Sequence, residues 1–147
     1  MSTRKSDLSR TERGQASVEA LLVLMILGIL IFGGIELSQG VAVRQALDSG
    51  AGAAARSLSL DPTQWSFASN VIQQSVDQNV MGASPAVTVQ VYDATGNLRS
   101  AAWLSGSPFG TAFILEATAP FQASIPFLPG SAITIRVRHW GTVERYP

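Results

Sequence analysis

Residues 13–36 read RGQASVEALLVLMILGILIFGGIE, and the architecture follows from this stretch. From Ala20 to Ile35, sixteen consecutive residues carry no charge. As a helix rising 1.5 Å per residue they span roughly 24 Å. Adding Gln15 to Glu19 brings the helix to about the 30 Å hydrocarbon thickness of a bilayer. The stretch therefore predicts one transmembrane helix, bracketed by Glu19 and Glu36.

The flanks set its orientation. Met1–Gly14 carries Arg4, Lys5, Arg10 and Arg13 against Asp7 and Glu12, a net +2. The rest holds six arginines against eight acids, a net −2. Cations before the apolar run put the N-terminus in the cytoplasm and everything after Glu36 outside. The first thirteen residues are polar, without periodicity, and read as a flexible cytoplasmic tail. Beyond the run, Val43, Leu47, Ala51, Ala54 and Leu58 recur at spacings of three and four, a helical stripe. Its small residues, helped by Gly50, invite another element to pack very close. The expectation is one helix of about forty residues, greasy in its first half and amphipathic in its second, against a mean of about 11–12 for globular helices.

Asp61-Pro62 is a start signal for a second helix, with Asp61 as N-cap and Pro62 at the first helical position. Trp65, Ala68, Ile72, Val76 and Val80 then share a face that ends near Gly82. After Pro85 the period becomes two: Val87, Val89 and Val91 alternate with Thr88, Gln90 and Tyr92 as in a half-buried strand. Asp93-Ala-Thr-Gly-Asn is turn chemistry. Thr111–Thr118 and Ile133–His139 are further strands, and Pro120, Pro126 and Pro129 break the intervening chain into an apolar loop with Phe121, Ile125, Phe127 and Leu128. The fold class is α+β: a long N-terminal helix, transmembrane in its first half and amphipathic in its second, with a short second helix and a small antiparallel sheet packed on its outer half.

Arg13-Gly14-Gln15-Ala16-Ser17-Val18-Glu19, directly ahead of the apolar run, resembles the processing site of type IV prepilins and pseudopilins. Phe32-Gly33 with Glu36, Gln45-Ala46 and Ala53-Ala54-Ala55-Arg56 are similar to TadE-like pilins of tight-adherence (Tad/Flp) systems. The resemblance covers about the first third of the chain. It implies cleavage by a membrane-embedded prepilin peptidase after Gly14, so that residues 1–14 form a cleaved leader, 15–38 a transmembrane and assembly helix, and 39–147 an extracytoplasmic domain. It also implies a structural pilin or minor pseudopilin, partnered by other pilin subunits, the peptidase, the membrane and, indirectly, the assembly platform and its ATPase. The expected location is the cell membrane, then a surface filament.

Physical chemistry gives these residues roles. Gly14 leaves the scissile backbone open to a protease that must bind it extended. A carboxylate at the bilayer centre costs roughly 2.5–3.5 kcal/mol, and intramembrane charges are usually functional. Cleavage creates an ammonium on Gln15, one helical turn from Glu19, and its own or a neighbour's ammonium would neutralise the carboxylate and fix axial register. Taken alone, Glu19 equally suits the headgroup region. Glu36 reads as a solvated end-of-span charge, and Glu36, Phe121 and Phe127 are candidate interface residues.

Composition narrows the rest. No cysteine and one histidine leave few groups for thiolate metal sites or acyl-transfer chemistry, so no enzyme activity, metal or cofactor is expected. The acidic body lacks the basic patch that nucleic-acid binding needs. His139, in a strand pattern, reads as structural, and Trp103 and Trp140 as core or interface aromatics. Two other readings stay open. A secreted protein would use the same apolar run as a signal peptide cut after Gly40 or Ala42. A single-pass anchored binding module would never polymerise.

Overall fold

In a computed structural model, residues 5–80, 84–123 and 130–144 are described; for 5–14, 123 and 131 the description is of the backbone alone. The element order is α1 (Lys5–Leu60), α2 (Trp65–Asn79), β1 (Thr88–Asp93), β2 (Leu98–Arg99), α3 (Ala101–Ser105), β3 (Ala112–Ala123) and β4 (Ser131–Thr142). The α+β expectation is borne out: a long apolar helix, a shorter helix and an antiparallel sheet of four strands in the order β2-β1-β3-β4.

Helix α1 is a single 56-residue element. It already includes the segment from Lys5 to Arg13, where the sequence suggested an unstructured tail. Those nine residues contain neither proline nor glycine, and extending an existing helix gains one hydrogen bond per residue fixed without a new nucleation step.

The halves of α1 meet different surroundings. From Gln15 to Leu27 every side chain is exposed, including Leu21 at 66%. From Val43 onward the stripe turns inward: Val43, Leu47, Ala51, Ala54 and Leu58 are each at most 1% exposed. The covering element is double. Helix α2 lies on one side, contributing Ala68, Ile72 and Val76, and the inner face of the sheet lies on the other. At Gly50 a Cβ would stand 3.0 Å from Ile72 Cα and 3.0 Å from Ser75 Cβ, so the absent side chain is what lets α2 approach this near. The Ser75 hydroxyl donates to the Ala46 carbonyl at 3.0 Å across the same contact.

Helix α2 begins later than expected. Asp61 accepts from the Thr63 N–H at 3.1 Å, the Thr63 hydroxyl at 2.6 Å and the Gln64 amide at 2.9 Å. Its carboxylate thus closes the turn after α1 and does not cap α2, whose N-cap is Gln64. Further along, the Gln73 side chain accepts from the Val87 N–H at 2.9 Å and so ties the approach to β1 onto α2.

The sheet is two-faced along β3. Phe113, Leu115, Ala117 and Ala119 face the helices and are fully buried. Turn 93–97 joins β1 to β2 as read: Asp93 accepts from the N–H groups of Thr95 (3.0 Å) and Asn97 (2.9 Å), and Gly96 supplies a φ of 87°. The Thr95 hydroxyl above all, then the Asn97 N–H and Arg99, hold the Asp93 carboxyl well below the usual carboxylate range. Pro120 does not break the chain. It lies inside β3, opposite Thr134. Pairing of β3 with β1 ends at Thr118, so Pro120 occupies a stretch with one open side, where a missing N–H is tolerated. Past β4, the Glu144 N–H donates to the Ser59 carbonyl at 2.7 Å and fastens the chain to the end of α1.

Candidate assembly helix and the cleft at its outer end

Gly14 and Gln15 lie within α1, so the bond proposed for cleavage is helical here. An attacking peptidase would have to draw it into an extended form, and glycine eases this because it stabilises helix by about 1 kcal/mol less than alanine. Glu19 stands on an exposed surface among Val18, Leu21 and Leu22. Seventeen residues separate it from Glu36, about 26 Å of helix. The two carboxylates thus sit nearly a hydrocarbon thickness apart.

Glu36 has different company. It is half-buried and lines a cleft of about 780 Å³ between α1 and the β3–β4 pair. One wall is the α1 face of Gly33, Leu37, Gly40 and Val41; the other is Phe121, Ile133 and Ile135. The Phe121 ring packs over Gly40, where a Cβ would come within 3.3 Å of it. Arg44 and Arg136 also line the cleft. Of the candidate interface residues, the structure brings Glu36 and Phe121 to one cleft, leaves Glu19 well apart from it, and Phe127 lies outside the described residues together with Ile125 and Leu128.

The outer sheet face carries a group that sequence reasoning passed over. Glu116, 2% exposed, lies opposite Arg138 in the register and accepts from Arg138 Nε at 2.5 Å. Arg136 Nε is 3.4 Å from its other oxygen, to which the Tyr92 hydroxyl also donates at 3.4 Å. A carboxylate taken out of water needs such partners. The alternation of Arg136 and Arg138 in ITIRVRH was visible, but their meeting with Glu116 depends on a register no local pattern contains. His139, on the inner face, has Nε2 3.0 Å from Asp48 Oδ1 and links β4 to α1, in keeping with its structural reading. Trp103 packs at the edge of the core, whereas Trp140 is 67% exposed. Among the described residues, no group of three or more His, Asp or Glu is placed to hold a metal.

The apolar half of α1 is long and apolar enough to cross a membrane, and none of its most apolar window is buried within the protein. No curated protein and no solved structure matches the chain. Residues 14–56, from the glycine ahead of the apolar run to Arg56 in the packed half of α1, match the family described as TadE-like protein, and over that segment the likeness to TadE-like pilins is shown.

Proposed function

We propose that this chain is a structural pilin-like subunit of a Tad-type pilus, cut after Gly14 and held in the membrane by α1 with its N-terminus in the cytoplasm and its α+β body outside. The observation that carries the reading is the division of one continuous helix. Its first half exposes apolar side chains along its length and its second half buries one face in a folded body. A soluble protein has no use for an all-round apolar rod, whereas a subunit that waits in a membrane and then bundles with its copies needs one. The segment matched to TadE-like proteins spans both halves. No catalytic role is proposed.

In this scheme the peptidase removes the leader, the new Gln15 ammonium pairs with Glu19 of its own or a neighbouring helix, and the pairing sets the axial register. The test is the intact mass and N-terminal sequence of the protein from membranes and from sheared surface material. The expected mature chain begins at Gln15 and contains no lysine, since Lys5 is the only one. An N-terminus at Val41 or Val43 would establish a secreted protein. A Gln15 terminus found in membranes and never in sheared filaments would establish an anchored module that does not polymerise.

A further inference from the structure

The cleft between α1 and the β3–β4 pair sits where the helix changes from unburied to buried. Beginning at Glu36, Gly40 lies about 6 Å and Arg44 about 12 Å farther along the axis. The headgroup layer of a bilayer is about 5–7 Å deep on each side. Phe121, packed on Gly40, is therefore about 6 Å beyond Glu36, at the depth of the headgroup layer. Ile133, 55% exposed, lines the same wall. Arg44 starts higher, but helical side chains tilt back toward the N-terminus, which aims its guanidinium down toward the same layer.

Charge is distributed to match. Arg44 is exposed and has no ion pair among the described residues. Arg136 comes no nearer to Glu116 than 3.4 Å, at Nε, and its side chain is 58% exposed, so much of its fork faces solvent. Both line the cleft from its outer part, while Glu36 lines it from the membrane side. The neighbouring Asp48 and Arg138 are engaged with His139 and Glu116. An anion is thus repelled at the membrane end and attracted at the other, above an apolar wall of Leu37, Val41, Phe121 and Ile133.

We propose that the cleft seats a phospholipid from the outer face of the membrane, its phosphate between Arg44 and Arg136 and its first chain carbons against the apolar wall. Guanidinium groups bind phosphate oxygens in a fork geometry that suits this. The inference rests on the topology given above, with the body outside. A seated lipid would fix how far the body stands from the bilayer and would have to be released when the subunit leaves for a filament.

The full-length protein in mild detergent is mixed with phosphatidylglycerol and, separately, with a diacylglycerol of the same chains, and retained lipid is read by native mass spectrometry. One phosphatidylglycerol should be retained, with diacylglycerol at least tenfold weaker. The pair Arg44→Gln and Arg136→Gln should lose at least tenfold of the phosphatidylglycerol, while Arg56→Gln, farther along α1, should not change it. Equal retention of diacylglycerol, equal retention by the double variant, absence of any adduct, or displacement by inorganic phosphate would each overturn the proposal. Topology is read independently. The chain has no cysteine, so Ala94→Cys in the exposed β1–β2 turn should react with an impermeant maleimide on intact cells. Labelling only after lysis would overturn the topology itself; labelling from outside without lipid retention would overturn the lipid seat alone.

Discussion

Two glycines two residues apart in α1 should respond in opposite ways to the same substitution. Gly50→Ala and Gly52→Ala each gain about 1 kcal/mol of helix propensity, so this gain cancels in their comparison. What differs is the neighbour. At Gly50 the new methyl meets the backbone of α2, with Ile72 Cα and Ser75 Cβ both at 3.0 Å. Ordinary carbon contacts lie at about 3.5–4.0 Å, so α2 would have to retreat by roughly half an ångström or more. It is pinned there by Ile72 and Val76, which are fully buried. Overpacking of this kind costs about 1–3 kcal/mol. At Gly52 the nearest atom is His139 Cε1 at 3.4 Å, close to an ordinary contact distance, so little has to move. Gly52→Ala should therefore be neutral to stabilising, and Gly50→Ala should fall below it by about 1–3 kcal/mol. For a body of this size that is a gap of roughly 4–8 °C per kcal/mol. Thermal unfolding of a fragment starting at Val41, which retains every buried core residue from Val43 onward, provides the measurement. If Gly50→Ala is as stable as Gly52→Ala, then α2 does not pack against α1 at the distance described.

Other perturbations separate functions as well as contacts. Gly14→Leu should leave an uncut precursor in the membrane, whereas Glu19→Ala should be processed but poorly incorporated into filaments, with Glu19→Asp intermediate; a gel shift beside a shear fraction reads both, and full assembly of Glu19→Ala would end the register argument. The Glu116 cluster is asymmetric, a carboxylate 3% exposed between arginines more than half exposed. Arg138→Gln, which strips a buried charge of its nearest partner, should cost about 1.5–3 kcal/mol. Glu116→Gln, which leaves two hydrated cations, should cost under about 1 kcal/mol, and equal costs in denaturant titrations would refute the asymmetry. Because Asp93 is held ionised in the folded turn, the unfolded chain binds its proton first as pH falls. Its contribution is thus present above about pH 4 and lost progressively below. Asp93→Asn should be less stable at pH 7 and show a shallower loss of stability on acidification below pH 4, and an unchanged acid profile would contradict this.

How far the sequence led depended on how local each cause was. The stripe from Val43 to Leu58 was legible because helical period and burial coincide, and so was the Asp93 turn, whose hydrogen bonds close within six residues. Asp61 misled because the same carboxylate suits a helix cap and a tight turn. Which one it serves was settled by Thr63 and Gln64, both of which donate to it. Pro120 misled because its cost depends on whether a neighbouring strand is present, and that is a property of the sheet. The Glu116 cluster and the Gly40–Phe121 contact join residues many positions apart, so neither period nor propensity announces them. Glu19 and Gly14 stood out at once, since an acid beside an apolar run and a glycine before it are anomalies of the linear chain.

The continuity of α1 has a mechanical consequence. Between Gln15 and Leu60 it contains no proline and no interruption, so roughly 68 Å of chain behaves as one screw. Sliding it by one residue along a like helix, so that equivalent side chains meet the same neighbours, raises the body 1.5 Å and also turns it by about 100°, and no break in the helix absorbs the twist. Axial travel and azimuth are therefore geared together. A subunit that kept such contacts as it rose would have to rotate its sheet about the same axis, or else move in near-whole turns, about seven residues for two.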